Sequence, residues 1–192
     1  MERSLIRKEV VPFLKMFGAL ILATIITDAL LHQFELVWIG RWLGIPGVIL
    51  ILLSFLYSMH KRKMIDFGKP KILLILHETL TWMGALMILV HAGIHIYTIL
   101  PWLALAAMLI NVISGMTGQY LLARSRRFLA QKKDVYLQQG LSAEMLDKKL
   151  FWDATTFNLM KQWRAVHLPI TLAFVVLGVT HILSILLFWE WR

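Results

Sequence analysis

The sequence predicts an all-α fold, an integral membrane helical bundle of five transmembrane helices. Three observations carry that prediction. The chain of 192 residues is 59% hydrophobic and only 16% charged. Its apolar residues gather into runs that approach or exceed the roughly 20 helical residues needed to cross a hydrocarbon core of about 30 Å. Its basic residues fall mainly between those runs rather than inside them. Residues 1–192 read as a single membrane domain.

The first span is expected from Val11 to Leu31, behind Arg3, Arg7 and Lys8. A basic start and an apolar run are shared with signal sequences, but the run is long and no small-residue cleavage site follows. It reads as a retained anchor. The second span, Leu43 to Tyr57, opens with Gly44-Ile45-Pro46-Gly47 and ends in a basic loop. The third, Ile72 to Leu100, is the longest apolar run, and Pro101 marks a tight turn after it. The fourth follows from Trp102 to Leu122 and the fifth from Ala165 to Trp189.

Residues 123–164 form a cytoplasmic loop. Within it, Arg124 to Gln139 reads as a helical continuation of the fourth span, stopped at Gly140. A second, short helix is expected after Ser142, with Met145, Leu146 and Leu150 on one side and Lys148 and Lys149 on another. This hairpin can lie on anionic lipid or dock a cytoplasmic partner subunit.

Orientation follows from charge. With the N-terminus inside, the inner segments hold all of the 20 Lys and Arg except Arg41 and Arg192, as the positive-inside rule requires of every span. The N-terminus is then cytoplasmic and the C-terminus exported, as in a bacterial or archaeal inner membrane. This placement also accounts for the net charge of +9 without a nucleic-acid partner. The absence of cysteine excludes thiolate-held iron–sulfur clusters, disulfides and covalent c-type haem, so any redox centre must use nitrogen, oxygen or thioether ligands.

The histidines carry the functional signal. His77 and His91 lie 14 residues apart in the third span, and His167 and His181 lie 14 apart in the fifth. Fourteen helical residues rise about 21 Å and come within about 40° of whole turns, so each pair shares a face. Spans three and five run in the same direction, which puts His77 and His167 toward the cytoplasm and His91 and His181 toward the exterior. Imidazole suits several metals. A bare ion would want three or four side chains at one depth, whereas two ligands from facing helices leave an equatorial plane that a macrocycle fills. The expectation is two haem b groups in a four-helix core, with axial pairs His77–His167 and His91–His181. Gly84, Gly178, Ser114, Gly115, Thr117 and Gly118 are small residues near the expected ring planes, and ordinary helix packing explains them equally well.

Paired histidines at this spacing on two parallel spans resemble the di-haem b-type membrane cytochromes. These include the cytochrome b core of quinol-oxidising complexes, the membrane subunits of respiratory dehydrogenases, and ferric-reductase-like proteins with ligands on their third and fifth spans. The resemblance covers spans three to five. It implies that His77, His91, His167 and His181 are axial ligands and that the chain is a membrane electron-transfer subunit of a larger oxidoreductase complex. Unlike ferric reductases, the chain shows no flavin or nicotinamide domain.

Two axial histidines close each iron to other ligands, so such centres pass electrons rather than activate substrate. Arg164 is the leading candidate for a propionate partner, being three residues before His167 on roughly the same helical face, with Arg124 and Lys71 behind it. A quinone or quinol is the expected mobile partner, alongside other redox subunits and membrane lipid. Glu78 is a candidate proton relay on the inner side, and Asp28 with His32 form an i, i+4 pair toward the outer side. Asn111, Gln119 and Tyr120 are neutral alternatives, and any of these polar groups can equally serve as an interhelical hydrogen bond.

His95, one turn after His91, is an alternative ligand or a propionate partner. The H-x-x-x-H spacing also admits a non-haem di-iron reading, which would need more histidines nearby. His32 and His60, near span ends, would be recruited in a rival arrangement that takes ligands from other spans. Two further classes stand beside the redox reading: a non-redox anchor or assembly subunit, and a histidine-based metal transporter.

Overall fold

A computed structural model describes residues 5–94, 99–117 and 121–188; the side chain of Arg164 lies outside this description. Among the described residues there is helix and no strand. A π-helical turn, Ile6–Val10, leads into α1 (Val11–Gln33), and the short α2 (Val37–Trp42) precedes α3 (Gly44–Lys61). Then come α4 (Pro70–Ile94), α5 (Ile99–Met116), α6 (Leu122–Gln138), α7 (Ala143–Ala165) and α8 (His167–Phe188). Five helical runs are long and apolar enough to cross a membrane: Ile6–Gln33, Val37–Lys61, Pro70–Gly93, Ile99–Met116 and Glu144–Phe188.

Several boundaries differ from the sequence expectation, each for a local reason. α4 is described to Ile94, and Ile99 and Leu100 already belong to α5. Pro101 therefore lies within α5 as described rather than in a turn between spans; residues 95–98 lie outside the described residues. The helix after Ser142 is not short. Ser142 Oγ accepts the Met145 N–H at 3.4 Å as an N-cap, and α7 then runs 23 residues to Ala165. A one-residue turn at Val166 separates it from α8. Pro169 lacks the N–H that would bond the Ala165 carbonyl, so a regular helix cannot continue through this point.

Three helices end in the same way. Beyond α6, Gly140 N–H reaches Leu137 O and Leu141 N–H reaches Tyr136 O, with Gly140 at φ 75°. This is the Schellman arrangement that satisfies terminal carbonyls, and it places the stop where the sequence puts it. α1 and α3 close with the same bond pattern, but with Glu35 (φ 57°) and Lys63 (φ 58°) in the left-handed position.

The chain divides into two compact units. Unit 1 comprises Met1–Gly18 and Ala107–Val176. At its centre the α6–α7 hairpin buries Tyr136, Leu146 and Met160. Lys132 Nζ and Asp153 Oδ2 pair at 2.9 Å with both side chains nearly buried. The other carboxylate oxygen of Asp153 accepts the N–H of the fully buried Leu5 at 3.1 Å. Lys8 and Lys132 both lie over the Phe128 ring. The start of the chain is thereby fastened to the hairpin.

Unit 2 comprises Ala19–Ala106 and Leu177–Arg192. Its α3–α4 pair packs backbone to backbone. A Cβ on Gly84 would lie 2.9 Å from the Gly47 carbonyl and 2.8 Å from Ile51 Cγ1, so only glycine fits this crossing. Outward, α1, α3 and α8 present large apolar side chains, among them Leu22, Ile25, Leu52, Val179, Leu183 and Leu187.

Candidate functional site

In unit 2, α4 positions His77 and His91, and their Nδ1 atoms are each held by a backbone carbonyl. His77 Nδ1–H donates to Ser54 O on α3 at 2.9 Å, and the Tyr57 ring lies beside the imidazole at 5.5 Å, tilted 34°. His91 Nδ1–H donates to Gly40 O at 3.3 Å, a carbonyl in the last turn of α2 that also accepts the Leu43 N–H at 3.3 Å. A carbonyl can only accept, so Nδ1 carries the proton in both rings, and in the neutral ring the lone pair is on Nε2. This tautomer is the one an Nε2-ligating histidine needs, and such second-atom hydrogen bonds orient metal ligands.

The backbone of α3 presses on the second ring: a Cβ at Gly44 would stand 2.9 Å from His91 Cδ2 and 3.0 Å from its Nε2. His181 on α8 belongs to the same unit as His91. Beside it, a Cβ on Gly178 would meet nothing within 4 Å among the described residues.

In unit 1, His167 is the first residue of α8. Its Nδ1 stands 2.9 Å from Ser114 Oγ, and that hydroxyl donates its only proton to Asn111 O at 2.9 Å. The Ser114 hydroxyl thus lies between the His167 ring and its own helix, and it fixes the imidazole through Nδ1 as the carbonyls do for His77 and His91. Gly115 supports the ring, since a Cβ there would be 3.1 Å from His167 Cε1. Thr171 Oγ1 lies 2.6 Å from both Asn111 Oδ1 and His167 O and shares its single proton between them, tying α5 to α8 one turn further on.

The other sequence candidates divide. Gly84 packs against α3 and not near an imidazole, so its role is helix packing. Gly115 serves the His167 ring itself. Asn111 is an interhelical hydrogen-bond acceptor, and the hydroxyl of buried Thr117 is spent on Ile113 O at 2.7 Å. Arg164 lies in the last turn of α7 and His167 opens α8 beyond the turn at Val166, and the Arg164 side chain lies outside the described residues. Arg124 and Lys71 are exposed, and Glu78 is half-buried next to His77. His95, Gly118, Gln119 and Tyr120 lie outside the described residues. His60 is half-buried, with no hydrogen-bond partner for its Nδ1 among the described residues. Exposed His32 bonds its own helix at Asp28 O, 2.9 Å away. Among the described residues, no three His, Asp or Glu side chains gather to hold a bare ion.

Sequence reasoning missed the groups that hold the imidazoles: the Ser54 and Gly40 carbonyls, the Ser114 hydroxyl in this role, and Gly44. Only Ser114 carried a prior signal, as a small residue in the expected place. In comparisons with family models, curated proteins and solved structures, nothing matches the chain.

Proposed function

We propose that this chain is a membrane-embedded b-type cytochrome subunit that passes electrons across a bilayer between a quinone pool and a partner redox subunit. Its five long apolar helices and their outward-facing Leu, Ile and Val side chains suit a hydrocarbon surround. The charge distribution orients the N-terminus to the cytoplasm and the C-terminus to the exterior.

One observation carries the redox reading. His77 and His91 donate Nδ1–H to backbone carbonyls of other helices, and His167 Nδ1 is held by the Ser114 hydroxyl, so three of the four histidines in the 14-residue pairs are oriented through Nδ1 by another helix. His91 and His181, both in one unit, would hold one haem b, and the matched spacing in the sequence assigns His77 and His167 to a second. Bound there, haem would supply a one-electron iron couple. The chain's own part is to hold each imidazole in one tautomer and one plane, and to surround it with apolar helix. Gly44 and Gly115 press on the His91 and His167 rings and restrict their rotation. Open space beside Gly178 gives room for a flat ring next to His181.

The same hydrogen bonds also fit a plainer reading, in which the histidines pin α4 to α2 and α3 and α8 to α5 in a non-redox anchor subunit. A dithionite-reduced minus oxidised absorption spectrum of the purified chain decides between them. Two b-type centres give the sharp α and β bands of low-spin bis-histidine iron, with about two haems per chain by pyridine haemochrome assay. A fully folded, colourless protein removes the redox reading.

A further inference from the structure

The loop between α3 and α4 concentrates the positive charge of unit 2. Lys61, Arg62, Lys63, Lys69 and Lys71 are all of that unit's Lys and Arg except Arg41 and Arg192, and Asp66 is the one acid among residues 61–71. All five cations are exposed. The loop joins two of the long apolar helical runs, Val37–Lys61 and Pro70–Gly93, so it emerges where both end. The same charges assign that end to the cytoplasmic side. Between the cations stand Met64 and Phe67, each 67% exposed.

The backbone fixes this loop at both ends. Lys63 N–H and Met64 N–H close α3 on His60 O and Met59 O, each at 3.0 Å, which puts Lys63 at φ 58°. α6 ends in the same pattern on Gly140, a residue free to take that conformation. A lysine there carries a backbone cost, and strain retained at one residue points to a role for its side chain. At the far end Gly68 takes φ 80°, and a Cβ on it would come to 3.3 Å of the buried Leu73. Lys69 O then accepts the Ile72 and Leu73 N–H groups and starts α4. Two large apolar side chains are thus held outward among five cations.

We propose that residues 61–71 form a docking surface for the headgroups of anionic phospholipids in the cytoplasmic leaflet. Met64 and Phe67 enter the boundary between headgroups and acyl chains, and the surrounding ammonium and guanidinium groups meet lipid phosphates. Charge complementarity selects this occupant, because four or more Lys and Arg at the cytoplasmic end of a span are drawn to an anionic leaflet. The apolar pair separates a lipid surface from a soluble phosphate: a free anion has no use for Met64 and Phe67, whereas a bilayer interface buries them. This surface is independent of the haem reading and requires only that α3 and α4 cross a bilayer.

The chain has no cysteine, so Met64→Cys provides a unique attachment point for the apolar fluorophore nitrobenzoxadiazole. The labelled intact protein is placed in phosphatidylcholine nanodiscs that carry a lipid nitroxide high on the acyl chain, with increasing phosphatidylglycerol. Quenching should rise to saturation with phosphatidylglycerol and fall back at high salt. Adding Lys63→Gly keeps the turn and removes one charge. It should require about fivefold more phosphatidylglycerol for half-maximal quenching, the worth of one basic residue at an anionic surface. Adding Phe67→Ser, which leaves every cation in place, should weaken the response severalfold. Each protein is checked for a single symmetric peak in size-exclusion chromatography. Quenching indifferent to phosphatidylglycerol overturns the surface and leaves the loop to an acidic protein face. An unaltered response in either folded variant overturns it too. Abolition of the response by inorganic phosphate at constant ionic strength reassigns the cations to a soluble anion and overturns the lipid assignment. None of these outcomes depends on whether the protein shows b-type bands.

Discussion

An imidazole in an apolar helix has two nitrogens, and the fate of one determines what the other can do. In His167, Nδ1 stands 2.9 Å from the Ser114 hydroxyl, which also reaches Asn111 O. Ser114→Ala removes that partner and frees the ring to rotate. Loss of an orienting hydrogen bond of this kind lowers metal-centre affinity about tenfold or more. Under the proposed haem function the expected result is faster haem transfer to apomyoglobin from one centre, with the other unchanged; equal rates in variant and wild type would refute the role of Ser114. Gly44→Ala acts on His91 by sterics, since its new methyl would stand 2.9 Å from the ring. Under the proposed haem function, that change should shift the low-spin electron paramagnetic resonance g values of the centre held by His91 and leave the other unchanged.

At the scale of elements, helix ends and crossings are the sensitive points. Glu35 and Lys63 occupy the left-handed position that closes α1 and α3, where a Cβ costs roughly 1 kcal/mol. Lys63→Gly should therefore raise the thermal midpoint in detergent by an amount matching a stabilisation of up to about 1 kcal/mol. Gly84→Leu works in the opposite direction. Its side chain cannot enter the contact with Gly47 and Ile51, so α3 and α4 must separate, and the His77–Ser54 bond goes with them. In the α6–α7 hairpin, Asp153→Ala strips the buried Lys132 of its anion and Leu5 N–H of its acceptor. Breaking one side of a buried pair costs about 3–5 kcal/mol. A joint Asp153→Leu, Lys132→Met replacement should recover much of that loss, and thermal melts of the two variants measure the difference.

On the scale of the whole chain, charge predicts topology. An alkaline phosphatase fusion, active only outside the cytoplasm, should be active when joined after Arg192 and silent when inserted at Gly140. The reverse pattern would invert the orientation and exchange the inner and outer histidines.

How much of this was legible beforehand differs by feature. The five spans were readable because a run of apolar residues is a one-dimensional property, as is a 14-residue repeat of histidine. Gly140 was readable because a helix end after a polar run demands a residue that adopts positive φ freely. The length of α7 was less so, since Phe151, Trp152, Asp153 and Thr155 mix apolar and polar positions with no single-face pattern. The turn at Val166 had Pro169 as its signal, and it puts Arg164 and His167 on different helices. By itself, then, the sequence determined the helices, their order and the spacing of the imidazoles, because each depends on neighbours along the chain. Only tertiary structure decided which carbonyl or hydroxyl meets each Nδ1 and which glycine lies under which ring. Those pairings join residues far apart in sequence, and backbone acceptors such as Ser54 O and Gly40 O are present at every position. Packing alone selects the one that is used.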